Sequence, residues 1–301
     1  MAAVVPARAR NPWIESLRLI AICGVIAFHA RVPILATWAY AGLVAFVILS
    51  PYVDARYNER RQRSIPALAR SFLIPWLFWM VAYGALNLAM GNALFPSDGD
   101  LINSVLAGTS IHLWFLPFMF AVIAVLNLLK GFDLRRIAFL PALAAACISL
   151  ATFPAWHHYI GDAIVPYRQW LHAMPAVFVG VALGLLPADA NRRRLSIGLI
   201  VLSLLPAVLA GLPGVSIAYG VGVSLVIIAI SLTPPHDFPA FVQSLSSCTL
   251  GVYLVHMAAL GAFYIPFGKG SYMAVLCAIV TSFLVVWAAR RFVPVSRIVL
   301  G

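Results

Sequence analysis

Residues 13–29 read Trp-Ile-Glu-Ser-Leu-Arg-Leu-Ile-Ala-Ile-Cys-Gly-Val-Ile-Ala-Phe-His. Apart from Glu15, Arg18 and His29 the stretch is apolar or small. At about 1.5 Å of helical rise per residue it reaches across most of a hydrocarbon core roughly 30 Å thick. The same texture recurs down the chain, with uncharged blocks at 199–210 and 273–289. Over all 301 residues, 63% are hydrophobic and only 10% charged, with a mean hydropathy of +0.99. A soluble domain carries about 25% charged residues, so this chain has too few to coat a water-facing surface. Apolar runs of about 18 residues or more read as membrane-spanning helices. No alternation of period two supports a β-barrel.

The pattern predicts an all-α integral membrane protein with a bundle of about ten transmembrane helices. The spans fall near 13–31, 35–53, 71–90, 111–129, 137–153, 170–187, 195–211, 215–232, 248–265 and 271–289. The second is marginal in length and flanked by Pro33 and Pro51. A single domain covers residues 1–301, with 1–12 and 290–301 as cytoplasmic tails and no internal repeat or appended soluble domain. The amino-terminal run is too long for a cleavable signal and has no small-residue cleavage site after it, so it reads as the first permanent span.

A net charge of +11 would suggest nucleic acid if the basic residues clustered on a soluble surface. They fall instead in short groups between apolar blocks, as topology signals do, and no nucleic-acid partner is expected. Arg8, Arg10, Arg56, Arg60, Arg61, Arg63, Arg70, Lys130, Arg135 and Arg136 alternate to one side, with Arg192, Arg193, Arg194, Arg290, Arg291 and Arg297. The other side receives Arg31, Arg168 and Lys269. With ten spans this puts both termini in the cytoplasm. Cys23, Cys147, Cys248 and Cys277 all lie in apolar spans and read as small hydrophobes, with no metal spacing among them.

An ionisable side chain inside a membrane costs about 2.5–3.5 kcal/mol on insertion scales and calls for an explanation. At about 100° per residue, Glu15, Arg18 and His29 share an arc of roughly 60° on one helix face, and Arg18 lies about 16 Å of rise from His29. Such a stripe suits an elongated substrate entering from inside, its charged part at Arg18 and its reactive end at His29. Two structural accounts stand beside it. Arg18 could snorkel to the surface or pair with Glu15 at i,i+3, and His29 could be satisfied at the outer interface or by a neighbouring helix.

Glu15-Ser-Leu-Arg18, ten residues and then His29 resemble the first-helix motif of the membrane-bound acyltransferase 3 family. His112-Leu-Trp-Phe-Leu-Pro117 is similar to its fourth-span signature. Ser247-Cys-Thr-Leu-Gly-Val-Tyr-Leu-Val-His256 is similar to its late-span signature, and Arg70-Ser-Phe-Leu-Ile-Pro75-Trp to the start of its third helix. The four occur in the expected order over most of the chain. The resemblance implies a ten-helix enzyme of the inner membrane that takes an acyl group, most often acetyl, from cytoplasmic acyl-CoA. It implies a glycan acceptor such as an exopolysaccharide, and no permanently bound cofactor. Arg18 and His29 inherit the essential first-helix pair with Glu15 beside them, and Arg70 a basic position facing the donor's phosphates. His112, Trp114, Tyr253 and His256 inherit signature positions of acceptor-site or structural character. Glu15 stands where aspartate is commoner, Ser50-Pro51-Tyr52 replaces Ser-Gly-aromatic, and one arginine stands where two are usual. Arg56, Arg60, Arg61 or Arg63 could supply the missing donor contact.

These residue types fit the chemistry. A sugar hydroxyl is a poor nucleophile, so a neutral histidine, here His29, must take its proton as it attacks a thioester. A covalent acyl-histidine is the alternative. Arginine stays charged and binds phosphate bidentately, which suits Arg18 and Arg70 to CoA. The outer segment Trp156-His-His-Tyr-Ile-Gly-Asp162, continued by Tyr167-Arg-Gln-Trp170, could be a sugar platform or an interfacial aromatic anchor. His157 and His158 are adjacent, which is poor spacing for a shared metal, and no zinc set is completed. His172 and His236 read as interfacial or loop residues, and neither a phosphate-cradling glycine loop nor a serine elbow is present. Two rival classes are a transporter or flippase, for which the paired broken helices are missing, and a scaffold, which leaves the stripe unexplained.

Overall fold

The computed structural model describes residues 11–33, 35–58, 61–96, 100–161, 163–212, 215–234 and 239–301. Arg8, Arg10, Arg60, Asp162 and His236 lie outside them. The described residues form helices and connections, with no strand. In chain order the helices are α1 Pro12–His29, α2 Leu35–Tyr57, α3 Ile65–Ala89, α4 Leu101–Ala107 and α5 Phe115–Leu129. They continue with α6 Leu134–Ala151, α7 Phe153–Ile160, α8 Tyr167–Gly184, α9 Ala190–Ser203 and α10 Leu205–Leu209. The last are α11 Ser216–Ser231, α12 Ala240–Ser246, α13 Thr249–Phe267, α14 Tyr272–Phe292 and, after a 3-10 turn, α15 Arg297–Leu300.

Among the described residues, six helices (α1, α2, α3, α6, α13 and α14) are long and apolar enough to cross a bilayer, and α5 and α11 are apolar but shorter. The chain is therefore a multi-pass membrane protein. Several helix starts are written in the sequence. The Asn11 side chain accepts from Trp13 N at 3.0 Å with Pro12 at the first helical position, and Asp189 and Asp133 cap α9 and α6 in the same way. Each such oxygen satisfies an amide that the helix itself cannot pair, and proline fits a position whose N–H would be orphaned anyway.

The structure shifts several expected boundaries. The second segment is not marginal: α2 runs 23 residues straight through Pro51. The seventh is broken at Leu204, between α9 and α10, where Pro206 lacks the N–H that would continue the ladder. The fourth starts late. Residues 111–114 form turns, and α5 begins at Phe115 with Pro117 inside its first turn. The loops expected at 91–110 and 154–169 contain the short helices α4 and α7.

The packing centres on α2, which contacts α1, α5, α8 and α11. Small residues permit this crowding. A Cβ on Gly42 would lie 2.4 Å from the Ala21 carbonyl oxygen of α1, and one on Gly180 of α8 would lie 2.4 Å from the Ile48 oxygen. Below the core, Lys130 Nζ at the end of α5 sits 2.7 Å from Asp54 Oδ2 of α2, both side chains buried. The Asn127 side chain meanwhile pairs with both the amide and the carbonyl of Arg63, at 2.7 Å each.

Candidate active site

The first-helix stripe divides into two stations. Glu15 is buried; one carboxylate oxygen accepts from the Ser246 hydroxyl of α12, and the other lies 3.5 Å from the Arg18 guanidinium. His29 closes the same helix, about 21 Å of rise from Glu15. Glu15 therefore belongs with Arg18, whose guanidinium it orients, and not with the imidazole.

Arg18 lines a cavity of about 360 Å³ together with Ser50, Ser246, Ser247 and Arg290. Arg290 of α14 donates to the Ser247 carbonyl. Two guanidiniums and several hydroxyls share this cavity, and guanidinium is a group that binds phosphate bidentately without losing its charge. Arg70 is not among the lining residues and lies exposed on α3. Arg63 spends its guanidinium on Ser71, at 2.7 Å. In the sequence, Arg290 is indistinguishable from the other arginines that follow the positive-inside pattern, which already accounts for it.

At the other station, tertiary folding gathers three imidazoles. The His29 ring lies 5.2 Å from that of His256 and 6.4 Å from that of His112, and His112 and His256 are 4.9 Å apart. His112 and His256 are fully buried. His112 is delivered by the turn before α5, which is tied to α3. Thr109 donates to Met80 O at 2.6 Å, Asn87 donates to Thr109 O at 2.8 Å, and Ser110 Oγ meets His112 Nδ1 at 3.0 Å. Tyr253 donates to the His112 carbonyl. Tyr83, absent from the sequence-level candidates, packs its ring 5.2 Å from that of His112. Nothing in the sequence marks Tyr83 apart from other aromatics in apolar spans.

Aromatic rings connect the two stations. Phe46 and Phe115 line the arginine cavity, and both pack on Tyr253, at 6.0 and 5.1 Å. Tyr253 in turn meets His112 and His256 at 5.4 and 5.7 Å. Trp114 packs between Phe115 and Phe118, and the ring contacts continue from Phe118 to Trp170. The group of Trp156, His157 and His172 forms its own cluster, with His157 and His172 rings 5.1 Å apart. A larger cavity of about 570 Å³ between α5, α6 and α8 is lined by apolar side chains, with the Trp170 indole its one polar group, and offers nothing for group transfer.

The membrane-embedded bundle thus holds an arginine- and hydroxyl-lined cavity near one end of α1 and an imidazole cluster at the other, side-chain types suited to group transfer. The family model described as "Acyltransferase domain", of the acyltransferase 3 type, matches residues 11–291. The chain belongs to this family and is an acyltransferase, moving groups other than aminoacyl groups. Comparison with curated proteins and with solved structures gave no match.

Proposed function

We propose that the protein takes an acyl group, acetyl foremost, from cytoplasmic acyl-CoA and transfers it to a hydroxyl of an exopolysaccharide or other cell-envelope glycan. The observation that carries this is the pairing of an Arg18/Arg290 cavity with a buried imidazole cluster through the Phe46, Phe115 and Tyr253 rings. The CoA phosphates bind Arg18 and Arg290, with Arg70 contributing to approach from the surface. The roughly 16 Å of rise from Arg18 to His29 is on the scale of an extended pantetheine arm. Following that line, the thioester passes the aromatic rings and reaches the imidazoles.

There, neutral His29 removes the acceptor's hydroxyl proton as the oxygen attacks the thioester carbonyl. The C–S bond then breaks and the proton passes to the thiolate, releasing CoA. A ten-span bundle with both termini cytoplasmic suits this path, with the donor inside and the acceptor approaching from the opposite face of the inner membrane.

The test is CoA release from acetyl-CoA by protein in nanodiscs with a glycan extract. Wild type releases CoA, while His29→Ala and Arg18→Ala keep their melting temperatures and lose turnover. A His29→Ala protein that releases CoA at the wild-type rate overturns the mechanism. Absence of release by wild type with both acetyl- and succinyl-CoA would shift the proposal to substrate transport.

A further inference from the structure

His256 Nδ1 lies 2.6 Å from the Tyr253 carbonyl oxygen. A carbonyl can only accept, so Nδ1 carries the proton and the neutral ring keeps its lone pair on Nε2. His256 Nε2 is buried and has no hydrogen-bond partner among the described residues. An unsatisfied buried acceptor costs about 1–3 kcal/mol. Phenylalanine or leucine would fill the same space without that cost, so packing alone does not account for an imidazole here. The neighbouring His29 ring is 5.2 Å away and tilted by 44°. No N–H···N bond joins the two rings in this arrangement, so His29 must turn toward Nε2 for a proton to pass; His112 packs against His256 from 4.9 Å.

The turn that carries His256 is also held from outside its own helix. The buried Tyr83 hydroxyl of α3 donates to Leu254 O at 2.7 Å and accepts from Ala258 N at 3.2 Å. Leu254 and Ala258 are the two ends of the i,i+4 step centred on His256. Tyr253, one position earlier, is fixed by its bond to the His112 carbonyl.

We infer that His256 is the second imidazole of a proton relay in which His29 is the first; the inference rests on the acyl-transfer mechanism proposed above. As the acceptor oxygen bonds to the thioester carbon, one His29 nitrogen takes the hydroxyl proton. The other His29 nitrogen passes its proton to His256 Nε2. His29 ends neutral, and His256 becomes an imidazolium whose Nδ1–H stays on the Tyr253 carbonyl. When the C–S bond breaks, the proton returns by the same path to the thiolate. Thioester and alcohol become ester and thiol, with no proton gained or lost. His256 touches no reacting atom and acts through His29, while Tyr83 holds its turn in place.

The experiment is a double-mutant cycle of His29→Ala and His256→Ala in nanodiscs, read as acceptor-dependent CoA release, with melting temperatures to confirm folding. His256→Ala is expected to lower kcat by about 10²–10³-fold, the range of a lost proton-transfer group, with KM for acetyl-CoA nearly unchanged. The double variant should be no slower than the slower single one, as for residues that act as a unit. Added imidazole should restore part of the His256→Ala rate by entering the vacated ring site. His256→Phe, which fills that site without a nitrogen, should stay slow and gain nothing from imidazole. Multiplying losses in the double variant, or wild-type kcat in a folded His256→Phe, overturn the relay. Wild-type turnover by His29→Ala instead removes the parent mechanism, so the two failures are told apart.

Discussion

Gly42→Ala tests whether helix contact sets the active-site geometry. The added methyl carbon would meet Ala21 O at 2.4 Å, Gly24 Cα at 3.0 Å and Val25 N at 3.2 Å, and an alanine at Gly24 would in turn meet Ala39 O at 2.9 Å. All of these are backbone atoms, so no side chain can rotate away. Restoring an ordinary contact of about 3.4 Å requires α1 and α2 to separate by roughly 1 Å. Overpacking of this kind costs about 1–3 kcal/mol, and alanine's better helix propensity returns about 1 kcal/mol. The net loss of stability is therefore about 0–2 kcal/mol, too little to unfold the bundle. Turnover should suffer far more. α1 carries Arg18 and His29, α2 carries Phe46 and Ser50, and a misplacement of about 1 Å can cost on the order of 10²-fold in rate. The assay pairs CoA release with thermal melting in nanodiscs. Gly198→Ala on α9, where a Cβ meets nothing within 4 Å, serves as the control and should leave both readouts near wild type. A Gly42→Ala protein with wild-type kcat would refute the idea that this backbone contact positions the α1 stripe.

Two further outcomes follow from the charged groups. Arg290→Ala should raise KM for acetyl-CoA by about 10- to 100-fold, the equivalent of one charge-assisted hydrogen bond of about 1.5–3 kcal/mol, with kcat little changed. Arg70→Ala should raise it less, because Arg70 does not line the cavity, and Arg290→Lys should fall between, having lost the bidentate fork. Lys130→Met should destabilise the protein by about 3–5 kcal/mol, since it leaves Asp54 buried and uncompensated. The double change Asp54→Leu with Lys130→Met should recover most of that in thermal melting, and failure to recover would show that the loss does not come from the uncompensated Asp54 charge.

Much of the architecture was legible in the sequence, because membrane solvation acts on each segment separately. A helix in lipid satisfies its own backbone groups, so hydropathy alone exposed the helical segments and the multi-pass class. Helical periodicity likewise placed Glu15, Arg18 and His29 on one face. Segment ends were less legible where proline acts by local geometry: it broke the ladder before Pro206, but Pro51 was carried inside α2 and packs against Gly180.

The site itself divides along the same line. Short-range spacing determined that α1 bears a charge at one end and an imidazole at the other, and the ordered motifs named His112, Tyr253 and His256 one by one. Only the tertiary structure brought His29, His112 and His256 within 4.9–6.4 Å of each other, put Arg290 into the cavity of Arg18 and left Arg70 outside it. Only there, too, did the Tyr83 hydroxyl reach the turn of His256. Helical periodicity fixes which residues share a face of one helix, over a few turns. Which faces then meet depends on how closely the backbones can approach, and that was decided by contacts such as Gly42 on Ala21 between helices whose order in the sequence does not specify it.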